Sequence, residues 1–437
     1  MRASTDRPAI RHLGMIAGGG TLPLEIARSI TARGGNVFAV MIEDEADDAL
    51  SAYPHTKLNW AELGHAVKAL KSAGMSDLVM VGRMSRPSFW TAKPDFGFLF
   101  SLPRILRALR AGGDDAVLRG VVRLLEARGL NVLSVADVAP ELLLTEGPLG
   151  FHHAQQADKD DIAIGMALVA ALGHYDIGQA VVVARGMVEG IEGAEGTDRM
   201  LGRVRDAREA AGIDVSRLRA GVLVKRPKPG QDKRLDLPAI GPETVAAVIA
   251  AGLGGIAGLA GEVLAAGRFE MVERADRARV FVMGVQAQPE AAAETKPAPI
   301  EPIVFGRIGI GDDEAADVER GVRIMGELDS FDTGTAILLR RGRVLSVGAT
   351  ETPMELLQRS RGWLKRRKRR SGVMVLGARE ALDEALLRAA AATSLAGIVV
   401  VFGPGDGPRH KGPVLDVADR FGLFIAGAAT DPKAAAF

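Results

Sequence analysis

Apolar positions along this chain switch between two periods. Residues 12–17 read as a short buried strand, Gly18, Gly19 and Gly20 follow at once, and residues 22–33 carry helical spacing. Strand, glycine turn and helix together open a Rossmann-like unit. A second strand is expected over residues 36–41. Further apolar runs at 77–82 and 131–135 alternate with helical stretches, the pattern of a parallel sheet. This unit is expected to close near residue 150, giving a Rossmann-like N-terminal domain over 12–150.

From residue 158 the pattern becomes a helix, a β-rich stretch over 179–192, a helix, a strand at 220–224, a loop rich in Lys and Pro, and a strand at 280–285. The longest apolar run, residues 246–266, lies before that last strand. Five glycines and Glu262 interrupt it, so it reads as a buried helix, a turn and a second helix, not as a membrane span. These elements make a second α/β domain over 151–286. The segment QAQPEAAAETKPAPIEP has no periodicity and reads as a linker, assigned to 287–302.

Residues 303–430 read as a partial repeat of the middle domain. At an offset of 156, Asp176 meets Asp332, Gly178 meets Gly334, Arg185 and Gly186 meet Arg341 and Gly342, and Glu195 meets Glu351. At an offset of 143, Ala275, Asp276 and Arg277 meet Ala418, Asp419 and Arg420. The offset falls in between, so the repeat has lost a loop. The expected fold class is α/β throughout: a Rossmann-like domain, a second α/β domain and a partial repeat of the latter.

Composition narrows the chemistry. The chain has 437 residues, 47% apolar and 25% charged, with a formal net charge of +1, a soluble balance with no overall attraction for nucleic acid. The lack of cysteine excludes disulfides, thiolate metal sites and cysteine nucleophiles. The opening MRASTDRPAIRH lacks the apolar core of a signal peptide, so a cytoplasmic protein is expected. None of the seven histidines has metal-ligand spacing, and neither G-x-S-x-G nor H-E-x-x-H occurs.

The richest polar stretch is KRPKPGQDKRLDLPAIG, residues 225–241. Lys225, Arg226, Lys228, Lys233 and Arg234 surround Gln231, Asp232 and Asp236. Cations in a proline-stiffened loop suit phosphate oxygens, and a carboxylate among them can hold Mg2+ or orient an attacking water. A solvated loop whose charges pair among themselves accounts for the composition equally well. A second cluster, VEGIEGAEGTD, holds Glu189, Glu192, Glu195 and Asp198. These could converge on a metal or a sugar, with Glu192 meeting Asp236. Alternatively, Thr197 or Asp198 only caps a helix starting at Arg199. The glycine triplet lacks G-x-G-x-x-G spacing and is a weak dinucleotide signal. It offers either bare backbone N–H groups at a helix start, suited to a phosphate or ribose, or a tight turn alone.

Several segments are long and unusual. MIAGGGTLPLEIA, GRMSRPSF, GGDDAVLR, DIGQAVVV, EGAEGTDRML and KPGQDKRLDLPAIG occur in that order between residues 12 and 286. In sequence and order they resemble the UDP-2,3-diacylglucosamine pyrophosphatase family of the LpxI type, of lipid A biosynthesis. The resemblance implies hydrolysis of UDP-2,3-diacylglucosamine to UMP and 2,3-diacylglucosamine 1-phosphate, with Mg2+ or a similar divalent cation. It implies a substrate cleft between two domains, the middle one catalytic, and a homodimer. Asp236, at the aspartate of the D-L-P motif, becomes the catalytic residue, and Asp236, Glu192 and Asp198 the metal ligands. Substrate contacts are implied at Gly18, Gly19, Gly20, Thr21, Leu22, Lys225, Lys228, Gln231, Arg234, Glu195 and Thr197.

Two features depart from the family pattern. Arg83 stands where members often carry a small polar residue. The repeat is the larger departure: Glu192 is replaced by Gly348, Asp198 by Met354, and the loop bearing Asp236 has no counterpart. The repeat is therefore expected to be catalytically dead, serving packing, membrane docking, or the place of a dimer partner in a monomer. Phe89, Trp90, Phe96, Phe98 and Phe100 are five of nineteen aromatics, and could line an acyl groove, touch the inner-membrane surface or fill an interdomain core. The run KRRKRR from Lys365 to Arg370 suits an anionic leaflet, at about 1 kcal/mol per cation, or a solvated helix face. Nucleic acid is not an expected partner. The rival readings are a non-catalytic UDP-sugar-lipid binder and an NAD-linked oxidoreductase.

Overall fold

Unbroken apolar strands separated by amphipathic helices require a sheet covered on both faces, and the first sheet is wholly parallel. Strands β1 (His12–Ala17), β2 (Asn36–Ile42), β3 (His55–Leu58), β4 (Asp77–Val81) and β5 (Asn131–Leu133) lie in the doubly wound order β3-β2-β1-β4-β5. The helix Leu22–Ala32 starts on Pro23 in its first turn and buries Ile26, Ala27 and Ile30 in a core with Leu13 and Met15. Strand β3 escaped the sequence reading because HTKL is polar. It lies at the sheet edge, where pairing with β2 and not burial holds it. The computed structural model describes residues 11–84, 118–229, 231–235, 237–287, 300–364, 370–402 and 413–429. The aromatic stretch from Phe89 to Phe100, nearly all of the linker, the basic run from Lys365 up to Arg369, and Asp236 lie outside them.

The chain divides into two units: Met1–Glu146 with Gln231–Glu243 and Ala260–Glu273, and Gly147–Gly230 with Thr244–Leu259 and Arg274–Phe437. Residues 231–243 and 260–273, read from sequence as part of the middle domain, thus pack in the first unit. Leu237 and Leu264 join its core beside Leu143 and Val138.

The second unit opens with β6 (Gly147–Leu149) and the helix Gln156–Gly173, then the antiparallel hairpin of β7 (Ala180–Ala184) and β8 (Met187–Ile191). Strand β9 (Val222–Lys225) runs antiparallel to β7. Beyond it lie β11 (Gly255–Leu259) and β13 (Phe281–Val285), both parallel to β9, in the order β13-β11-β9-β7-β8. The short pair β10 (Ala239–Ile240) and β12 (Leu264–Ala265) belongs to the first unit. One buried carboxylate sets the hairpin. Asp161 accepts the turn N–H groups of Arg185 at 3.0 Å and Gly186 at 2.7 Å. Both turn residues have positive φ, 54° and 78°, as a two-residue hairpin turn of matching twist demands.

The apolar run over 246–266, expected as two helices, is one helix, Pro242–Ala250, followed by strand β11. Glycines weaken a helix by about 1 kcal/mol each, but here they answer a packing demand. Gly255 pairs with Phe281, and a side chain at Gly255 would collide with the Phe281 ring.

The same strand order returns after residue 300. Strands β15 (Ala336–Arg340), β16 (Arg343–Val347), β17 (Val373–Leu376), β18 (Gly397–Phe402) and β19 (Phe424–Ala429) lie as β19-β18-β17-β15-β16, with β14 (Ile303–Val304) added at the edge. Both hairpins shift register at corresponding points, between Val182 and Val183 and between Leu338 and Leu339. Asp317 accepts the N–H groups of Arg341 and Gly342 at 2.7 and 2.6 Å, as Asp161 does at its own turn. Burial pushes the Asp317 carboxyl above its ordinary value, and those two bonds oppose the shift. Gly397 lies under Phe424 as Gly255 lies under Phe281. The helices Gln156–Gly173 and Asp312–Asp329 meet, and Leu168 and Leu172 share one core with Val322 and Leu328.

Asp161→Ala and Asp317→Ala should each leave two turn N–H groups without their acceptor. Each is expected to lower the urea midpoint by the equivalent of about 2 kcal/mol. Unchanged midpoints would remove the two carboxylates from the framework.

Candidate functional site

Three elements of the second unit bring a polar group together. Glu192 follows the end of β8, Thr197 opens the helix Thr197–Ala210, and Lys225 ends β9. One Glu192 oxygen accepts the N–H of Gln179 at 2.7 Å, and the other accepts the Thr197 hydroxyl at 3.0 Å. Lys225 Nζ donates to the same hydroxyl oxygen at 3.1 Å. A single hydroxyl therefore links a half-buried carboxylate to a buried ammonium, and the opposite charges compensate each other away from water. The close fit depends on Gly178, at φ +44°, where a Cβ would collide with the Glu192 carbonyl. Lys228 lies in the loop beyond β9 and pairs with Asp176 at 2.6 Å.

Several expectations change here. The helix begins at Thr197, not at Arg199, behind Gly196, and no side chain caps it. The Thr197 hydroxyl is not a cap because it is given to Glu192. Asp198 lies exposed in the first helical turn. Glu195, expected against substrate, has a side chain only 4% exposed, and its carboxylate is held by Arg203 and, at 3.6 Å, by Arg359. Two guanidinium groups occupy it where a ligand was expected. Arg203 and Arg359 were missed by sequence reasoning, although they stand at the same offset of 156 as Glu195 and Glu351. The N–H of Gln179 was missed because backbone groups leave no trace in residue type.

In the first unit, the glycine triplet forms a backbone knot. Gly18 N–H donates to Val81 O at 2.9 Å, Gly19 N–H to Arg83 O at 2.8 Å, and Arg83 N–H returns to Gly19 O at 2.8 Å. A Cβ at Gly18 would collide with the Arg83 carbonyl. Two of the three N–H groups expected to be bare are thus spent on β4 and its exit. Gly20, at φ +96°, and Thr21 are exposed, and Leu22 is half-buried at the helix start.

The loop of residues 231–235 also belongs to the first unit. Arg234 grips Asp232 with two bonds of 2.8 and 2.6 Å and reaches Glu126 at 2.6 Å, while Lys233 pairs with Glu262 at 2.6 Å. Gln231 is partly exposed. On one side of Asp236, Leu235 packs beside Leu125 and Leu130. On the other, Leu237 is buried with Val138, and the Pro238 carbonyl accepts the N–H of Leu264 at 2.8 Å. Among the described residues, no three His, Asp or Glu side chains gather into a metal-binding group. Asp236, and with it the meeting of Glu192 and Asp236, lies outside them.

Residues 12–142 match the LpxI N-terminal domain family, and residues 145–283 match the LpxI C-terminal domain family. The chain is also 40% identical over 280 residues to the UDP-2,3-diacylglucosamine pyrophosphatase LpxI of Caulobacter vibrioides, an alignment covering 64% of this chain and 99% of that protein.

The side-chain bonds from Arg234 hold the Asp232 carboxyl below its ordinary value of 3.8. A carboxylate depressed in the folded state contributes stability that is fully present above its unfolded pKa and lost as pH falls through the folded one. Arg234→Met should therefore lower the unfolding free energy near neutral pH, by about 1 kcal/mol or less for so exposed a pair, read as a lower melting temperature. The gap to wild type should close as the pH is taken below 3.8. A gap that widens in acid would contradict the pairing.

Proposed function

The chain belongs to the LpxI family, and we propose that it is a hydrolase of lipid A biosynthesis that cleaves the pyrophosphate bond of UDP-2,3-diacylglucosamine. Water adds across the P–O–P bridge. Its oxygen goes to one phosphorus, the bridging oxygen leaves with the other, and the products are UMP and 2,3-diacylglucosamine 1-phosphate. The observation that carries this reading is identity extending over 99% of a relative named for that reaction. Retention of KPGQDKRLDLPAIG, with Asp236 in it, speaks for catalysis over binding alone. The sequence offers no clear proton-transfer residue for a hydride site beside the Rossmann-like opening, and Gly18 and Gly19 are engaged with Val81 and Arg83, so the oxidoreductase reading has no further support.

Asp236 is assigned the catalytic role. Lys225, Lys228, Gln231 and Arg234 supply charge and hydrogen bonds for phosphate oxygens, and Gly20, Thr21 and Leu22 are assigned to the nucleoside end. The carboxylates of this motif set are hard oxygen donors, which suit Mg2+. One or two of them, with substrate phosphates, can complete its shell. Asp236 is the carboxylate assigned to hold it. Glu192 is better described as a brace, because both its oxygens already accept bonds from Gln179 and Thr197. When bound, the ion would neutralise charge on the phosphate oxygens.

Residues 303–429 are a degenerate copy of the middle domain without chemistry. Thr335 replaces Gln179, Gly348 replaces Glu192, and the strand position of Lys225 is taken by Leu376. A Cβ at Gly348 would collide with the Thr335 hydroxyl, so no carboxylate fits there. No described helix is long and apolar enough to cross a membrane. A cytoplasmic enzyme that meets the inner-membrane surface through Phe89 to Phe100 and Lys365 to Arg370 accords with a diacylated substrate.

Wild-type protein with Mg2+ should release UMP from UDP-2,3-diacylglucosamine. Asp236→Ala should bind substrate and lose turnover by roughly 10²-fold or more, and chelation of the metal should act likewise. Substrate binding by the wild type without UMP release would favour the scaffold reading.

A further inference from the structure

We propose that the C-terminal half of the second unit is a built-in partner subunit, and that its Arg359 is a positioning residue for the loop 192–198 of the site. Four charged side chains join the halves. Arg203 pairs with Glu195 of its own half and, at 3.0 Å, with Glu351 of the other. Arg359 pairs with Glu351 of its own half at 2.5 Å and with Glu195 of the other at 3.6 Å. Arg203 also donates to the Ile191 carbonyl at 3.1 Å, and Arg359 to the Val347 carbonyl at 3.0 Å. Every member of this set has its counterpart at an offset of 156. Residue i of one half meets residue j of the other, and j meets i. That is the reciprocity of a two-fold subunit interface, here made within one chain.

The quartet bears on the site through sequence proximity. Glu195 lies between Glu192, which accepts from Gln179, and Thr197, which bridges Glu192 to Lys225. A guanidinium fixed on Glu195 therefore holds the middle of the segment whose two ends carry the site. The family matches end at residue 283, and the aligned relative is nearly used up within 64% of this chain. A chain ending there would leave Glu195 and Arg203 facing nothing from a second half, and a second copy of the same surface is what the reciprocity fits. Here residues 303–429 take that place, and Arg359 stands where the second copy's equivalent of Arg203 would.

The test uses the full chain. Glu351→Gln with Arg359→Gln removes one charge of each sign and leaves Arg203 paired with Glu195. Amide hydrogen exchange over residues 192–198 should rise on the order of tenfold, while amides of the helix Gln156–Gly173 keep wild-type rates. Turnover per folded molecule should fall about tenfold, which corresponds to about 1.4 kcal/mol. Arg359→Lys, which keeps the charge but not the fork, should recover part of both. Wild-type exchange over 192–198, or wild-type turnover despite a loosened loop, would overturn the assignment. Should the double variant fail to fold, Arg359→Lys decides by the same criteria, with a smaller rise expected. The turnover readout rests on the proposed hydrolysis, whereas the exchange readout does not. An inactive wild type would thus sink that function and leave the bracing to be judged by exchange.

Discussion

Asp161 has a charge to satisfy where water hardly reaches, and it does so on two N–H groups of a tight turn. The cost of burying a carboxylate is offset only if its acceptors are used, so the helix, the turn and the hairpin must come together in one way. Arg185 tolerates its left-handed backbone because its N–H is held there. The hairpin then fixes where β8 ends, and Glu192 follows that end. A shift of one residue would turn every β8 side chain to the opposite face and carry Glu192 away from Gln179. The placement of the polar group thus descends from a carboxylate that takes no part in it.

The polar group is economical. Glu192, Thr197 and Lys225 come from three elements, and a single hydroxyl both donates and accepts between the two charges. Removing any one partner would strand another in a poorly hydrated place. The corresponding positions of the second half hold glycine at 348, leucine at 376 and threonine at 335, whose hydroxyl donates to the Glu351 carbonyl. The framework around them matches that of the first half. Asp317, the hairpin turn and the Gly397–Phe424 contact all retain their geometry.

What the second half retains besides framework is its share of the Arg–Glu quartet. Two guanidinium groups and two carboxylates balance one another, and each side chain touches both halves or a neighbour that does. Arg suits this duty because its fork reaches two acceptors at once. The apolar core is shared as well, since the helices Gln156–Gly173 and Asp312–Asp329 meet in it. Hydrophobic contact supplies attraction without direction, whereas the quartet specifies how the halves are aligned.

Much of this architecture was legible in sequence, because strand and helix periods are local and the sheet strands are strongly apolar. The first parallel sheet, the β-rich stretch over 179–192, the repeat offsets and the D-L-P motif could all be read from residue order. Reading failed where a contact decided against local preference. The polar strand β3 exists by pairing, β11 takes a glycine-rich run that resembled a helix, and residues 231–243 and 260–273 join the core of the other unit. Charge types were visible in the chain, but their partners were not. Glu195 went to Arg203 and Arg359, Thr197 to Glu192, and the N–H groups of Gly18 and Gly19 to Val81 and Arg83. The sequence determines which chemistry is available, because residue type sets charge, size and backbone freedom. Only the tertiary structure decides which donor meets which acceptor, because such bonds are short, directional and made between residues far apart in the chain.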